Sequence, residues 1–82
     1  MGAYMVPLTK LNVGEVGVVC ELNGGRGVVG RLAALGFTPE AEVTMVQNFG
    51  HGPLIVAVRD TRIALGRGEA GKIRVVRKGG LR

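Results

Sequence analysis

Eighty-two residues suffice for one domain with a small core, and a composition that is 46% hydrophobic but 4% aromatic makes that core aliphatic. A single cysteine, Cys20, excludes an internal disulfide and fits the reducing cytoplasm, and no apolar run nears the roughly 18 residues of a membrane span. The net charge of +5 is uneven: residues 1–58 hold three basic and four acidic side chains and residues 59–82 hold eight and two, so the last third is suited to nucleic acid, anionic lipid or an acidic partner.

In chain order, residues 1–5 read as a flexible lead. Val6 to Val13 sets Leu8 and Leu11 three apart before a turn at Asn12-Val13-Gly14-Glu15. From Val16 to Leu22 the pattern has period two, which predicts a strand with Val16, Val18, Cys20 and Leu22 buried and Gly17, Val19 and Glu21 opposite. Asn23-Gly24-Gly25 ends it. A short helix is predicted from Gly27 to Leu35, with Val28, Leu32 and Leu35 on one face, Gly36 as a left-handed cap and Pro39 preventing a restart. Its glycines each cost about 1 kcal/mol relative to alanine, so tertiary packing must hold it.

A second strand is predicted from Glu42 to Phe49, with Val43, Met45 and Phe49 inward. Gly50-His51-Gly52-Pro53 turns the chain into Leu54–Arg59, which is apolar on both sides and so reads as a central strand. Asp60-Thr61 has hairpin spacing before a strand carrying Ile63 and Leu65 inward. Residues 66–71 read as a turn or a single helical turn. A last strand alternates Ile73 and Val75 with Lys72, Arg74 and Val76, and residues 78–82 read as a frayed basic tail. The fold expected is mainly β: a small barrel of about five antiparallel strands, with one short helix inserted after the first long strand and Gly17 at a corner.

Chemical motifs are weak. Residues 25–30 satisfy G-x-G-x-x-G, but 15 glycines in 82 residues produce that pattern about 0.5 times by chance, and it recurs at 66–71 without any parallel βαβ unit. Residues 66–72 fit seven positions of a phosphate-binding P-loop, yet Ile73 stands where that loop needs Ser or Thr. His51 in its turn and Cys20 in its strand form neither a chelating set nor a nucleophile–base pair. The expectation is a non-catalytic protein without cofactor or assigned metal residues. Nucleic acid is disfavoured because Tyr4, Phe37 and Phe49 are scattered, the last two placed in the core, and give no stacking platform.

Pro7-Leu8-Thr9-Lys10-Leu11 with Gly14-Glu15, the run Arg31-Leu32-Ala33-Ala34-Leu35-Gly36-Phe37-Thr38-Pro39, Gly52-Pro53-Leu54, Ile63-Ala64-Leu65, Glu69-Ala70 and Ile73-Arg74-Val75 stand in an order that resembles the FeoA family over residues 6–77. That resemblance implies an SH3-like barrel, a cytoplasmic role in ferrous iron uptake and an FeoB-type membrane transporter with a GTPase domain as partner, which could draw the protein to the inner membrane face. It also implies kinship with the C-terminal interaction domain of iron-dependent repressors. The family usually has Gly after the proline, and Glu40 in its place is expected to change the turn.

Two surfaces follow as expectations. Arg31, Leu32, Leu35, Gly36, Phe37, Thr38 and Pro39 at the helix exit form a partner groove. Arg62, Arg67, Lys72, Arg74 and Arg77 form a basic face, the one a nucleic-acid-binding barrel would use. Exposed edge strands would permit a weak homo-oligomer.

Overall fold

A computed structural model describes residues 4–79. Six strands form one antiparallel sheet: β1 (Val6–Pro7), β2 (Val16–Leu22), β3 (Glu42–Gln47), β4 (Leu54–Val58), β5 (Thr61–Leu65) and β6 (Ile73–Arg77), in the order β1-β6-β2-β3-β4-β5. Helix α1 (Arg26–Ala34) connects β2 to β3, and a single turn, α2 (Arg67–Ala70), connects β5 to β6. The mainly β architecture with one short inserted helix is therefore as expected. The added strand is β1, which pairs Val6 with Val75 and Pro7 with Arg74 at the sheet edge, where a proline costs no needed hydrogen bond. The anticipated lead overlaps the description at Tyr4 and Met5, both exposed; residues 1–3 and 80–82 lie outside it.

One core lies beneath the sheet. Leu8, Leu11, Leu32, Phe37, Val43 and Ile73 are among its fully buried members, and among the described residues no polar or charged one is buried with them. Leu8 enters on a 3-10 turn (Leu8–Lys10), and the Asn48 side-chain amide fastens this segment by donating to the carbonyls of Thr9 (3.1 Å) and Leu11 (3.0 Å). Unlike the expected frayed tail, Lys78 is tied in: its N–H donates to the Val16 carbonyl at 2.8 Å and its ammonium pairs with Glu42.

Two bulges correct the facing of the strands. In β2 the register slips between Val19 and Glu21, so Cys20 is extra to the ladder and is exposed. Ahead of the bulge Gly17 and Val19 point inward, whereas Val16 and Val18 are half-buried, the reverse of the expected phase. Beyond it Leu22 packs on the core as expected. In β3 the slip between Met45 and Gln47 leaves Val43 and Met45 inside and turns Phe49 out, 70% exposed. Strand β4 lies one place from the edge, and Ile55 and Ala57 on its outer side stay half-exposed, so it is packed fully on one face only.

The β4–β5 hairpin closes one residue earlier than its spacing predicts. Val58 pairs with Thr61, and Arg59 and Asp60 form the two-residue loop with φ of 52° and 64°. Positive φ at both loop residues is the primed-turn requirement, met here without glycine.

Candidate functional site: the helix exit

Helix α1 is weak by itself. Gly25 caps it without a side-chain bond, Gly27 and Gly30 face open space, and only Leu32 is fully buried, with Val28 packed beside it. Leu35, expected on the buried stripe, is the C-cap and is 41% exposed. What fixes this region is its end. The Gly36 N–H donates to Ala33 (3.0 Å) and the Phe37 N–H donates to Leu32 (3.1 Å), with Gly36 at φ 111°, which is a Schellman cap. Its hydrophobic partners, Leu32 and Phe37, are both wholly buried.

Across from the cap, the Arg59 stem lies over Gly36, where an added Cβ would meet Arg59 Cδ at 3.2 Å. The same guanidinium donates from Nη2 to Thr38 Oγ1 at 2.9 Å, so the β4–β5 turn holds the helix exit from outside. Arg59 was missed by the sequence reading because it reads as the end of a strand, and nothing local announces a contact 21 residues away. Next to it, Pro39, Glu40, Ala41, Glu42 and Arg59 line an open depression of about 420 Å³.

Glu40 takes φ 74°, a left-handed conformation in which glycine is at ease and an L-residue is strained, and its N–H donates to the Val19 carbonyl at 2.7 Å. The expected change of turn is thus a glycine-like turn made by glutamate. Glu40→Gly should raise stability by about 0.5–1 kcal/mol, the relief of strain exceeding glycine's greater freedom in the unfolded chain. Urea denaturation of the two proteins checks this, and an unchanged or lower midpoint would contradict the strain.

The seven anticipated residues therefore divide. Leu32, Gly36 and Phe37 are buried structural parts; Arg31, Leu35 and Pro39 are exposed; Thr38 is half-buried under Arg59. Arg31 is not free, since it pairs with Glu69 and links α1 to α2. The surface at the exit is mixed, with two glutamates in its depression.

The basic residues are dispersed as well. Arg62 stands exposed on β5, while Lys72 and Arg74 are half-buried at and just before β6, the Arg74 Nε lacking a hydrogen-bond partner among the described residues. Arg67 braces the β3–β4 loop, donating to the Gly52 carbonyl (3.0 Å) and to Asn48 Oδ1 (2.8 Å). Arg77 donates to the Lys10 carbonyl at 2.9 Å and approaches Glu15 at 3.2 Å. The Glu15 carboxyl is held below its ordinary value chiefly by the Asn12 N–H it accepts; desolvation opposes this, and the hydrogen bond and charge of Arg77 add to the lowering. Among the described residues no three His, Cys, Asp or Glu stand together as a metal site would require, and no helix is long and apolar enough to cross a membrane.

Comparison with known proteins agrees with this architecture. A protein of Methanocaldococcus jannaschii described as an Fe(2+) transport protein A is 34% identical over 71 residues, 87% of this chain and 85% of that one. The crystal structure of an iron uptake regulatory protein, FeoA, superposes with TM-score 0.86 at 32% identity, covering 92% of this chain and all of that one. Stenotrophomonas maltophilia FeoA in complex with zinc, described as an SH3 domain protein, superposes with TM-score 0.71 at 36% identity over 83% of this chain and 86% of that one. A manganese-dependent transcriptional repressor shares the fold alone, with TM-score 0.82 at 20% identity over 95% of this chain and 44% of the repressor. Residues 6–77 match the FeoA domain, and the chain, an SH3-like barrel, belongs to the FeoA family of ferrous iron transport proteins.

Proposed function

We propose that this chain is a non-catalytic cytoplasmic accessory of ferrous iron uptake, which binds an FeoB-type transporter through the exposed part of the helix exit and is drawn by it to the inner membrane face. The observation that carries the reading is the exposed apolar pair Leu35 and Pro39, mounted on a backbone that the Schellman cap and Arg59 hold in one shape. A rigid apolar anchor loses little entropy on docking, which favours a partner surface over a merely mobile loop. Arg67 and Arg77, occupied within the fold, leave less of the basic third for phosphates and weigh against the nucleic-acid alternative.

The test is binding of the full chain to the detergent-solubilised transporter of its own source. Leu35→Lys places a cation at a helix C-terminus, where the dipole favours it, so weakened binding would not stem from loss of the helix. At least a tenfold loss of affinity is expected, with the exposed Phe49→Ser variant binding as the parent does. Parent-like binding by Leu35→Lys would remove the helix exit as the contact. Capture of nucleic acid with a steep salt dependence, and no transporter, would overturn the function.

A further inference from the structure

Strand β5 ends the sheet: one side pairs with β4, and no described strand pairs with the other. The hairpin determines which of its groups point outward. Because Val58 and Thr61 close the two-residue loop, the pairs Val58–Thr61, Val56–Ile63 and Leu54–Leu65 exchange hydrogen bonds, and Arg62 and Ala64 turn their N–H and C=O groups away from β4. No turn or loop bond among the described residues uses these four groups. They form a ready template for another strand, at an edge with no proline or bulge to blunt it.

The surroundings select the kind of strand. Both residues are exposed on the outer face, beside their register partners Ala57 and Ile55, which are half-exposed and uncharged. Arg62 is the one charged side chain of β4 and β5. A chain of net charge +5 repels a second copy of itself and attracts carboxylates.

We propose that β5 accepts an extended acidic segment of another protein as a seventh strand, a carboxylate lying opposite Arg62 and alternating with apolar side chains that meet the half-buried Ile63. Main-chain bonds to Arg62 and Ala64 supply affinity, and the alternation supplies selectivity. This surface uses none of the helix-exit residues, so it stands or falls apart from the transporter contact proposed above.

The probe is a capped peptide, Glu-Val-Glu-Val-Thr-Val-Glu, with its lysine-for-glutamate analogue as control, titrated into the isotope-labelled full chain and followed by amide shifts and hydrogen exchange. The Arg62 and Ala64 amides are expected to shift and to gain at least tenfold protection with the glutamate peptide alone. Arg62→Glu should reverse the preference between the two peptides. Ala64→Pro deletes an N–H that the sheet does not use and should abolish binding; if that variant fails to fold, Arg62→Glu, changed at an exposed side chain, still decides. Absence of protection at these two amides, equal protection by both peptides, or protection that rises with protein concentration alone would each overturn the proposal, the last assigning the edge to a second copy.

Discussion

Phe37→Ala is expected to lower stability by about 3–5 kcal/mol, the usual cost of deleting a wholly buried aromatic ring and leaving its cavity. Phe37 is the largest fully buried side chain among the described residues and is 0% exposed. A domain of this size has about 4–12 kcal/mol in total, so the variant keeps at most about three-quarters of the parent stability and, from the lower end of that range, is unfolded at room temperature. The ring also completes the cap that ends α1, since Phe37 supplies both the N–H that reaches Leu32 and the apolar contact that accompanies it. Loss should therefore be seen both in the urea midpoint and in faster amide exchange over α1. Phe49→Ser is the matched control: its ring is 70% exposed, and its effect should stay within about 0.5 kcal/mol. A Phe37→Ala protein as stable as the control would contradict the core described above.

This separation matters for reading the helix exit. The run from Arg31 to Pro39 carries the family likeness, but its most apolar members, Leu32 and Phe37, are spent on the interior. Variants at those positions would lose partner binding by unfolding. Only Leu35, Pro39 and the charged rim report on a surface, which is why the binding test rests on Leu35.

What was legible in the sequence was local backbone chemistry. Gly36 stops the helix at φ 111° because glycine alone takes that conformation without cost, and Gly36 with Pro39 could be read from neighbouring residues. Element order and the inward faces of β4 and β6 were legible because Leu54, Val56 and Val58, or Ile73 and Val75, alternate without interruption. The facing of β2 and the end of β3 was not. Each bulge adds one residue and reverses parity, and in Val16-Gly17-Val18-Val19 both phases contain valine, so the sequence pattern has no power to choose. The Arg59–Thr38 clamp was illegible for another reason: it exists only once the β4–β5 turn has been brought against the helix exit.

The reversed phase of β2 makes Gly17 the sharpest place to test the fold. In a strand, Gly→Ala ordinarily stabilises by about 0.5–1 kcal/mol, because alanine has less freedom to lose. That would be the result if Gly17 faced solvent, as its expected phase implied. Instead Gly17 is buried, and a Cβ there would meet Val75 Cγ2 at 2.9 Å, Val75 Cβ at 3.0 Å and Leu11 Cδ1 at 3.1 Å. Its φ lies outside the left-handed region, so no backbone strain enters and the effect is packing alone. Gly17→Ala is expected to destabilise by about 1–3 kcal/mol, the cost of forcing an extra methyl group into a filled core. The culprit can be identified by a double-mutant cycle with Val75→Ala, which removes the nearest methyl group. The two substitutions should be non-additive by about 0.5–3 kcal/mol, the double variant being more stable than the sum of the singles predicts. A stabilising Gly17→Ala, or strict additivity with Val75→Ala, would mean that β2 presents its other face to the core and that the bulge at Cys20 is misplaced.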